Sequence, residues 1–168
     1  LAVCRLALGE DAGELDALTT RARLVPDELD VLEAIARCQG RLGRLEDSVA
    51  SYERLLGLEP ERLDARRALA LTYARLDRPD DVVRNAKPVL RARPEDQDLL
   101  LAFARAQSQK GRAAEAAEAA GTLVRLAPKS VDALWELAAA EVALGREEGA
   151  IATLERAFVL PEGPPRVS

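Results

Sequence analysis

Residues 29–62 read LDVLEAIARCQGRLGRLEDSVASYERLLGLEPER, and this stretch decides the fold. Two amphipathic helical patterns lie on either side of a turn that contains Gly43, and Pro60 follows the second pattern. The same arrangement recurs along the chain with a period of 34 residues. A fixed period of this size predicts a repeat architecture.

Three columns of the repeat have clear physical causes. Proline ends the second helix because it lacks an N–H and clashes with the preceding turn. Glycine before the second helix takes the positive φ of a tight turn, and alanine lets two helices approach closely. These columns hold Pro26, Pro60, Pro94 and Pro128; Gly9, Gly43, Asp77, Gly111 and Gly145; and Ala2, Ala36, Ala70, Ala104 and Ala138.

The pattern resembles the tetratricopeptide repeat family over nearly the whole chain. In the unit 63–96 the matching residues are Leu69, Ala70 and Tyr73 in the first helix and Pro94 at the end. The resemblance implies an all-α fold, a right-handed α-solenoid of antiparallel helix pairs. Units 29–62 and 131–160 match at Leu32, Ile35, Ala36, Ser48, Tyr52 and Pro60, and at Leu134, Leu137, Ala138, Ala150, Leu154 and Ala157.

The repeats predict one array over residues 1–160, followed by a loose tail rich in proline and glycine at 161–168. The chain begins without Met, so we expect a piece of a longer protein whose first helix, 1–8, pairs with 12–25. Pro88 is expected to kink or shorten its helix. The array comprises a partial repeat, 1–28, and full repeats 29–62, 63–96, 97–130 and 131–160; helices are expected at 29–42, 46–58, 63–76, 79–92, 97–110, 113–126, 131–144 and 147–159.

Composition indicates a helical protein, with 48% hydrophobic, 32% charged and 3% aromatic residues. The net charge of −5 disfavours generic binding to nucleic acid or anionic membranes. Only three of the 24 basic residues are lysines, a bias associated with high-GC coding sequences and hence with a bacterial source. No membrane segment or signal peptide is visible, and the cytoplasm is the favoured compartment for this fragment.

No catalytic or cofactor motif is apparent. The sequence has no histidine and no phosphate-binding glycine loop, so we expect neither an enzyme nor a bound cofactor or metal. Acidic pairs such as Glu46 and Asp47 are explained by the positive ends of helices. Cys4 and Cys38 share a column of small residues, which indicates packing rather than a disulfide or a metal site.

Stacked pairs place their first helices along a concave face, and in the resembling family partner segments usually lie there. The first-helix positions off the packing columns are therefore the candidate partner-binding residues. Across these positions five arginines face one acid, Glu33, and the far end is apolar. The candidates are Arg37, Arg41, Arg67, Leu71, Arg75, Leu101, Arg105, Gln109 and Trp135, and the same surface includes Gly40, Ala74, Ser108, Ala139, Val142 and Ala143.

Arginine presents a planar fork of donors that suits carboxylates, and tryptophan is enriched at interface hot spots. The candidate surface therefore predicts a protein segment with acidic groups and an apolar anchor. Two alternatives stay open: the arginines form a solvated face that pairs with neighbouring acids, and Trp135 packs against a missing repeat. The absence of Lys and Asn from this surface argues against a clamp for a C-terminal carboxylate, which some members of the family have.

Three function classes remain at this point. We favour a protein-interaction scaffold module of a larger bacterial protein. A structural spacer or self-association module is the second class, because the end of the array near Phe158, Val159 and Leu160 leaves an apolar edge. Single-stranded RNA binding is the third, and the negative charge and scarcity of aromatic residues argue against it.

Overall fold

A computed structural model describes the backbone of residues 2–25 and 27–160 and the side chains from residue 9 onward, except residue 26. This part of the chain contains nine α-helices and no strand. Pro26, the side chain of Cys4 and the predicted tail lie outside it. The helices are α1 (Ala2–Leu24), α2 (Leu29–Arg41), α3 (Leu45–Leu58), α4 (Leu63–Arg75), α5 (Pro79–Ala92), α6 (Gln97–Gln109), α7 (Ala113–Leu126), α8 (Val131–Ala143) and α9 (Glu147–Phe158).

The helix boundaries agree closely with the repeat pattern from α2 onward, where each end lies within one residue of its expected position. The prediction for the first 25 residues was wrong. One continuous helix, α1, replaces two helices joined by a turn at Gly9. Glycine inside a helix costs only about 1 kcal/mol relative to alanine, and the Ala, Leu and Glu residues around Gly9 favour helix.

The turns between paired helices have the conformation that the glycine column predicts. Gly43, Gly111 and Gly145 have φ values of 75°, 69° and 70°, and Asp77 takes a φ of 53°. The residue after each of the three glycines donates its N–H to a carbonyl five residues back, as from Arg44 to Gln39 at 2.9 Å. This 6→1 hydrogen bond belongs to the Schellman motif, which ends a helix through one left-handed residue.

Helices of one pair are joined through small buried residues. Ala36 and Ala70 have no exposed surface, as the alanine column predicts, and Ala138 has almost none. On the facing helix Ser48 is fully buried, and its hydroxyl donates a 2.7 Å hydrogen bond to the Ala36 carbonyl. The absence of bulky side chains lets a hydroxyl of one helix reach the backbone of the other.

Two further expectations concern single positions. Cys38 is a buried free thiol, and its column mates Thr72 and Ala140 are also buried, in agreement with a packing role. Pro88 does not shorten α5, which ends at Ala92 as the repeat predicts, so the expected shortening was wrong, while the expected kink stays a prediction. The buried neighbours of the proline, including Val89, hold the helix in place although one backbone hydrogen bond is lost.

The chain forms two compact units, and the division falls between Leu76 and Asp77. We call the unit of α1 to α4 the first unit and the unit of α5 to α9 the second unit. Within each, consecutive helices pack on one another, and the first helices of neighbouring pairs also touch, α2 with α4 and α6 with α8. The division lies inside the predicted repeat 63–96, and the single array over 1–160 remains a prediction.

Candidate functional site

In the first unit the candidate residues lie on α2 and α4, two first helices in direct contact. Arg37 and Arg41 are exposed on α2, and Arg75 is exposed on α4. Arg67 and Leu71 are half-buried on α4. These five side chains therefore belong to the surface of one helix layer.

Arg41 is held by acids of α1. Its guanidinium binds the Asp11 carboxylate at 2.8 Å and the Glu14 carboxylate at 2.6 Å. The hydrogen bond that Arg41 donates to Asp11 is the main reason that the pKa of Arg41 is raised. Asp11, Glu14 and the Cys38 thiol lie close enough together to hold a metal ion, but both carboxylates already form ion pairs with Arg41. This cluster is therefore explained as an ion pair.

The remaining arginines of the first unit differ in their contacts. Arg75 donates a 2.9 Å hydrogen bond to the carbonyl of Gly40, which ties α4 to the end of α2. Arg37 is exposed and makes no ion pair in the part of the chain that the structure describes. The positive charge of Arg37 favours the ionised phenol of Tyr52 and so acts to lower its pKa. Burial has the larger effect, and the pKa of Tyr52 is raised overall. Arg37 is thus an accessible cation on this surface.

Arg62, which the sequence analysis did not single out, lies directly before α4 and ties the start of that helix to α2. It binds Asp30 and Glu33 of α2 at 2.8 Å each and Glu59 at 3.1 Å. The hydrogen bond to Asp30 is the largest of the contributions that raise the pKa of Arg62. Glu33, the one acid expected among the candidate positions, is therefore already paired.

In the second unit the candidate residues lie on α6 and α8. Leu101 is half-buried, Arg105 and Gln109 are exposed on α6, and Trp135 is exposed on α8. The Gln109 amide donates a 2.6 Å hydrogen bond to the carboxylate of Asp77. The two helices touch directly, so all four candidates share one surface of this unit.

Arg105 joins α6 to α8. Its Nε donates to Glu136 at 2.9 Å and its Nη2 to Asp132 at 2.7 Å. Burial lowers the pKa of Arg105, but the hydrogen bond and charge of Glu136 outweigh it, so the pKa is raised overall. Acids of neighbouring helices thus bind both Arg41 and Arg105. For these two arginines the structure agrees with the alternative that the arginines form a solvated face paired with neighbouring acids.

The most exposed apolar feature of this surface is a stripe along α8. Trp135 is 39% exposed and Val142, seven residues later, is 60% exposed. Ala139 and Ala143 are also exposed, and their helical spacing places them on the same side of α8. We call these four residues the α8 stripe. Its location agrees with the prediction that the end of the candidate surface near Trp135 is apolar.

The ion pairs share a sequence signal that was overlooked. Asp11 and Arg41 are 30 residues apart, and Arg105 and Glu136 are 31 apart. Arg105 and Glu136 meet because equivalent helices of adjacent pairs, α6 and α8, lie side by side. Asp11 and Arg41 meet because the consecutive helices α1 and α2 pack on one another. The described part of the chain contains no helix that combines the length and apolar character needed to cross a membrane.

Two family models match the sequence. The tetratricopeptide repeat model matches residues 101–165, and the model of the bacterial transcriptional activator domain matches residues 6–84. No curated protein matches the chain. The two matches fall largely on opposite sides of the division between the units.

Solved structures match almost the whole chain. MamA from AMB-1 is 21% identical and has a TM-score of 0.83, covering 92% of this chain and 91% of that one. A MamA fragment from Desulfovibrio magneticus RS-1 is 17% identical with a TM-score of 0.84, covering 96% and 92%. YrrB, described as a TPR protein with an unusual peptide-binding site, is 14% identical with a TM-score of 0.84, covering 95% and 83%. These similarities establish an all-α solenoid of helical repeats.

Proposed function

We propose that this chain, whose residues 101–165 match the tetratricopeptide repeat model, is a protein-interaction module whose first helices bind segments of a partner protein. The observation that supports this most is the α8 stripe. Trp135 is 39% exposed on α8, and Asp132 and Glu136, which lie near it in the sequence of this helix, are both ion-paired with Arg105. An exposed tryptophan near acids that already have a partner offers apolar contact area with a smaller cost of desolvating unpaired charge.

Each unit contributes its own contact in this proposal. In the second unit, α6 and α8 receive an apolar side chain of the partner on Trp135 and Leu101. In the first unit, Arg37 and Arg75 receive an acidic group. Arg37 is the preferred contact, because it is exposed and has no ion pair in the described structure, whereas Arg41 is occupied by two carboxylates. YrrB, with the same fold, is described as having a peptide-binding site.

Selection from a displayed peptide library tests this function. Peptides enriched on the protein are synthesised, and their affinities are measured for the parent, for Trp135→Ala and for Phe158→Ala. Phe158 is a matched control, since it is an exposed aromatic residue on α9, outside the candidate surface. We expect Trp135→Ala to weaken at least one peptide class about ten-fold or more, as for a hot-spot tryptophan, and Phe158→Ala to leave it unchanged. Failure to enrich any peptide, or equal binding by all three proteins, would contradict the proposal.

Self-association is a second candidate function, favoured by exposed apolar residues on and after α9. Ile151, Phe158 and Val159 are 57%, 65% and 84% exposed. Apolar side chains exposed together commonly mark a contact surface. Sedimentation of the parent and of an Ile151→Ser/Phe158→Ser variant tests this function. A mass that rises with concentration only in the parent would support it, and a monomer at all concentrations would rule it out.

A further inference from the structure

A cleft in the second unit lies apart from the candidate partner-binding surface. It has a volume of about 490 Å³ and is formed by α5, α6 and α7. Leu100, Phe103 and Gln107 of α6 line it together with Leu90 of α5 and Ala119 of α7. A cleft of this size falls within the range of small-ligand sites, which is about 300–1,000 Å³.

The cleft uses a different face of α6 from the candidate surface. Successive residues of an α-helix turn by about 100°, so Phe103 and Gln107 project about half a turn away from Leu101 and Arg105. Ligands of the two sites therefore contact different side chains of the same helix.

Gln107 gives this cleft an unusual polar group. Its side chain has no exposed surface, yet neither the amide oxygen nor the amide nitrogen has a hydrogen-bond partner in the described structure. Buried polar groups are nearly always paired, because an unpaired donor or acceptor loses its hydration without compensation. Gln107 thus brings an unpaired donor and acceptor to the wall of the cleft, and a ligand reaches them when the side chains that cover the amide move aside.

The walls of the cleft have opposite charges. Lys87 and Arg91 of α5 line one side, and Glu115 and Glu118 of α7 line the other. None of the four makes an ion pair in the described part of the chain. A ligand with an acidic group toward α5 and a basic group toward α7 would complement both walls.

We propose that this cleft is a second binding site, which takes a short peptide segment through the N–H and the C=O of one of its residues, both paired with the side-chain amide of Gln107. In an extended segment these two groups of one residue point to the same side, and they match the free acceptor and donor of the glutamine amide. An apolar side chain of the segment contacts Leu90, Leu100 and Phe103, and charged side chains on either side of it meet the two walls. The site does not depend on the α8 stripe and would persist if that surface bound nothing.

A capped tripeptide, acetyl-Glu-Leu-Lys-amide, is the probe. It is titrated into ¹⁵N-labelled protein while the side-chain NH₂ signals of Gln107 and Gln109 are followed by NMR. We expect saturable shifts at Gln107 and not at Gln109, which lies on the other face of α6 and binds Asp77. The depsipeptide in which the leucine N–H is replaced by oxygen should bind about ten-fold more weakly, since an acceptor in the site would stay unpaired.

Three variants separate this site from its alternatives. Gln107→Leu should lose at least ten-fold in affinity, whereas Gln109→Leu, a matched change on the same helix, and Trp135→Ala should bind as the parent does. Circular dichroism checks that each variant is folded. The proposal is overturned if the parent shows no saturable shift up to about 10 mM peptide, or if Gln107→Leu or the depsipeptide binds equally well. Those results would leave an internal water as the partner of Gln107.

Discussion

Burial raises the pKa of Tyr52 to about 12, and the negative charge of Glu33 adds to the effect. Tyr52 is 2% exposed on α3. The fold therefore favours the neutral phenol, whereas an unfolded tyrosine ionises near pH 10. This contribution to stability is complete below about pH 10 and is lost as the pH rises toward 12.

The free energy of unfolding should fall by about 2–3 kcal/mol between pH 10 and 12 because of Tyr52. In Tyr52→Phe this part of the decline should be absent. The sequence has only two tyrosines, so Tyr73→Phe leaves Tyr52 as the only phenol for a spectrophotometric titration. Ionisation near pH 10 in the folded Tyr73→Phe protein would show that the burial of Tyr52 does not have this effect.

Gln107→Leu should not destabilise the protein in the absence of ligand. The substitution removes two unpaired polar atoms from a site with no exposed surface, and we expect a gain of about 1 kcal/mol in the free energy of unfolding. Urea denaturation measures the change, with Gln109→Leu as a contrast: it removes an exposed hydrogen bond to Asp77 and should lose about 0.5–1.5 kcal/mol. A clear loss of stability would mean that the Gln107 amide is hydrogen-bonded in solution.

At the scale of helices and turns, replacing glycine by alanine should lower the free energy of unfolding at a turn and raise it within a helix. Gly111 has a φ of 69°, so Gly111→Ala should cost about 1–2 kcal/mol through backbone strain alone. Gly121 lies within α7, and an added Cβ would meet Leu137 at an ordinary 4.0 Å. Gly121→Ala should therefore stabilise the protein by up to about 1 kcal/mol. Urea denaturation of both variants tests the assignment, and equal effects would contradict it.

The eight helices from α2 onward could be predicted because their period, turn glycines and buried alanines are local features repeated in register. The continuity of α1 could not be predicted. The turn expected at Gly9 rested only on the position of this glycine in the repeat, and the helix propensity of the residues around it outweighed that signal. The pairing of Arg41 and Arg105 with neighbouring acids was one of the alternatives that the sequence left open. The sequence alone could not decide it, because the acids that bind these arginines, Asp11, Glu14, Asp132 and Glu136, lie outside the candidate positions.

The arrangement around Gln107 had no sequence signal. Helical spacing places residue 107 on the buried side of α6, but three helices must be packed before it is known whether an amide finds a partner. Arg62 differs in this respect, because its partners Asp30 and Glu33 lie nearly one repeat earlier in the sequence. Pairs of opposite charge separated by nearly one repeat would have indicated such contacts in advance.

At the scale of the whole molecule, the acidic preference proposed for the first unit predicts a salt effect. Arg37→Ala with Arg75→Ala should weaken binding of acidic peptides selected on the protein by roughly two- to ten-fold, and should flatten the dependence of affinity on salt. Arg23→Ala with Arg44→Ala removes the same charge from exposed positions outside the candidate surface, and should change both much less. Equal effects of the two double variants would mean that net charge alone attracts acidic peptides.

Trp135 is the only tryptophan in the sequence, so its fluorescence directly tests the central claim that the α8 stripe binds a partner segment. A selected peptide without tryptophan is titrated into the protein and the emission of Trp135 is recorded. We expect a saturable blue shift of the Trp135 emission, because this residue is 39% exposed and becomes buried by an apolar side chain of the peptide. A peptide that binds while the emission of Trp135 stays unchanged would place the interaction elsewhere and contradict the account.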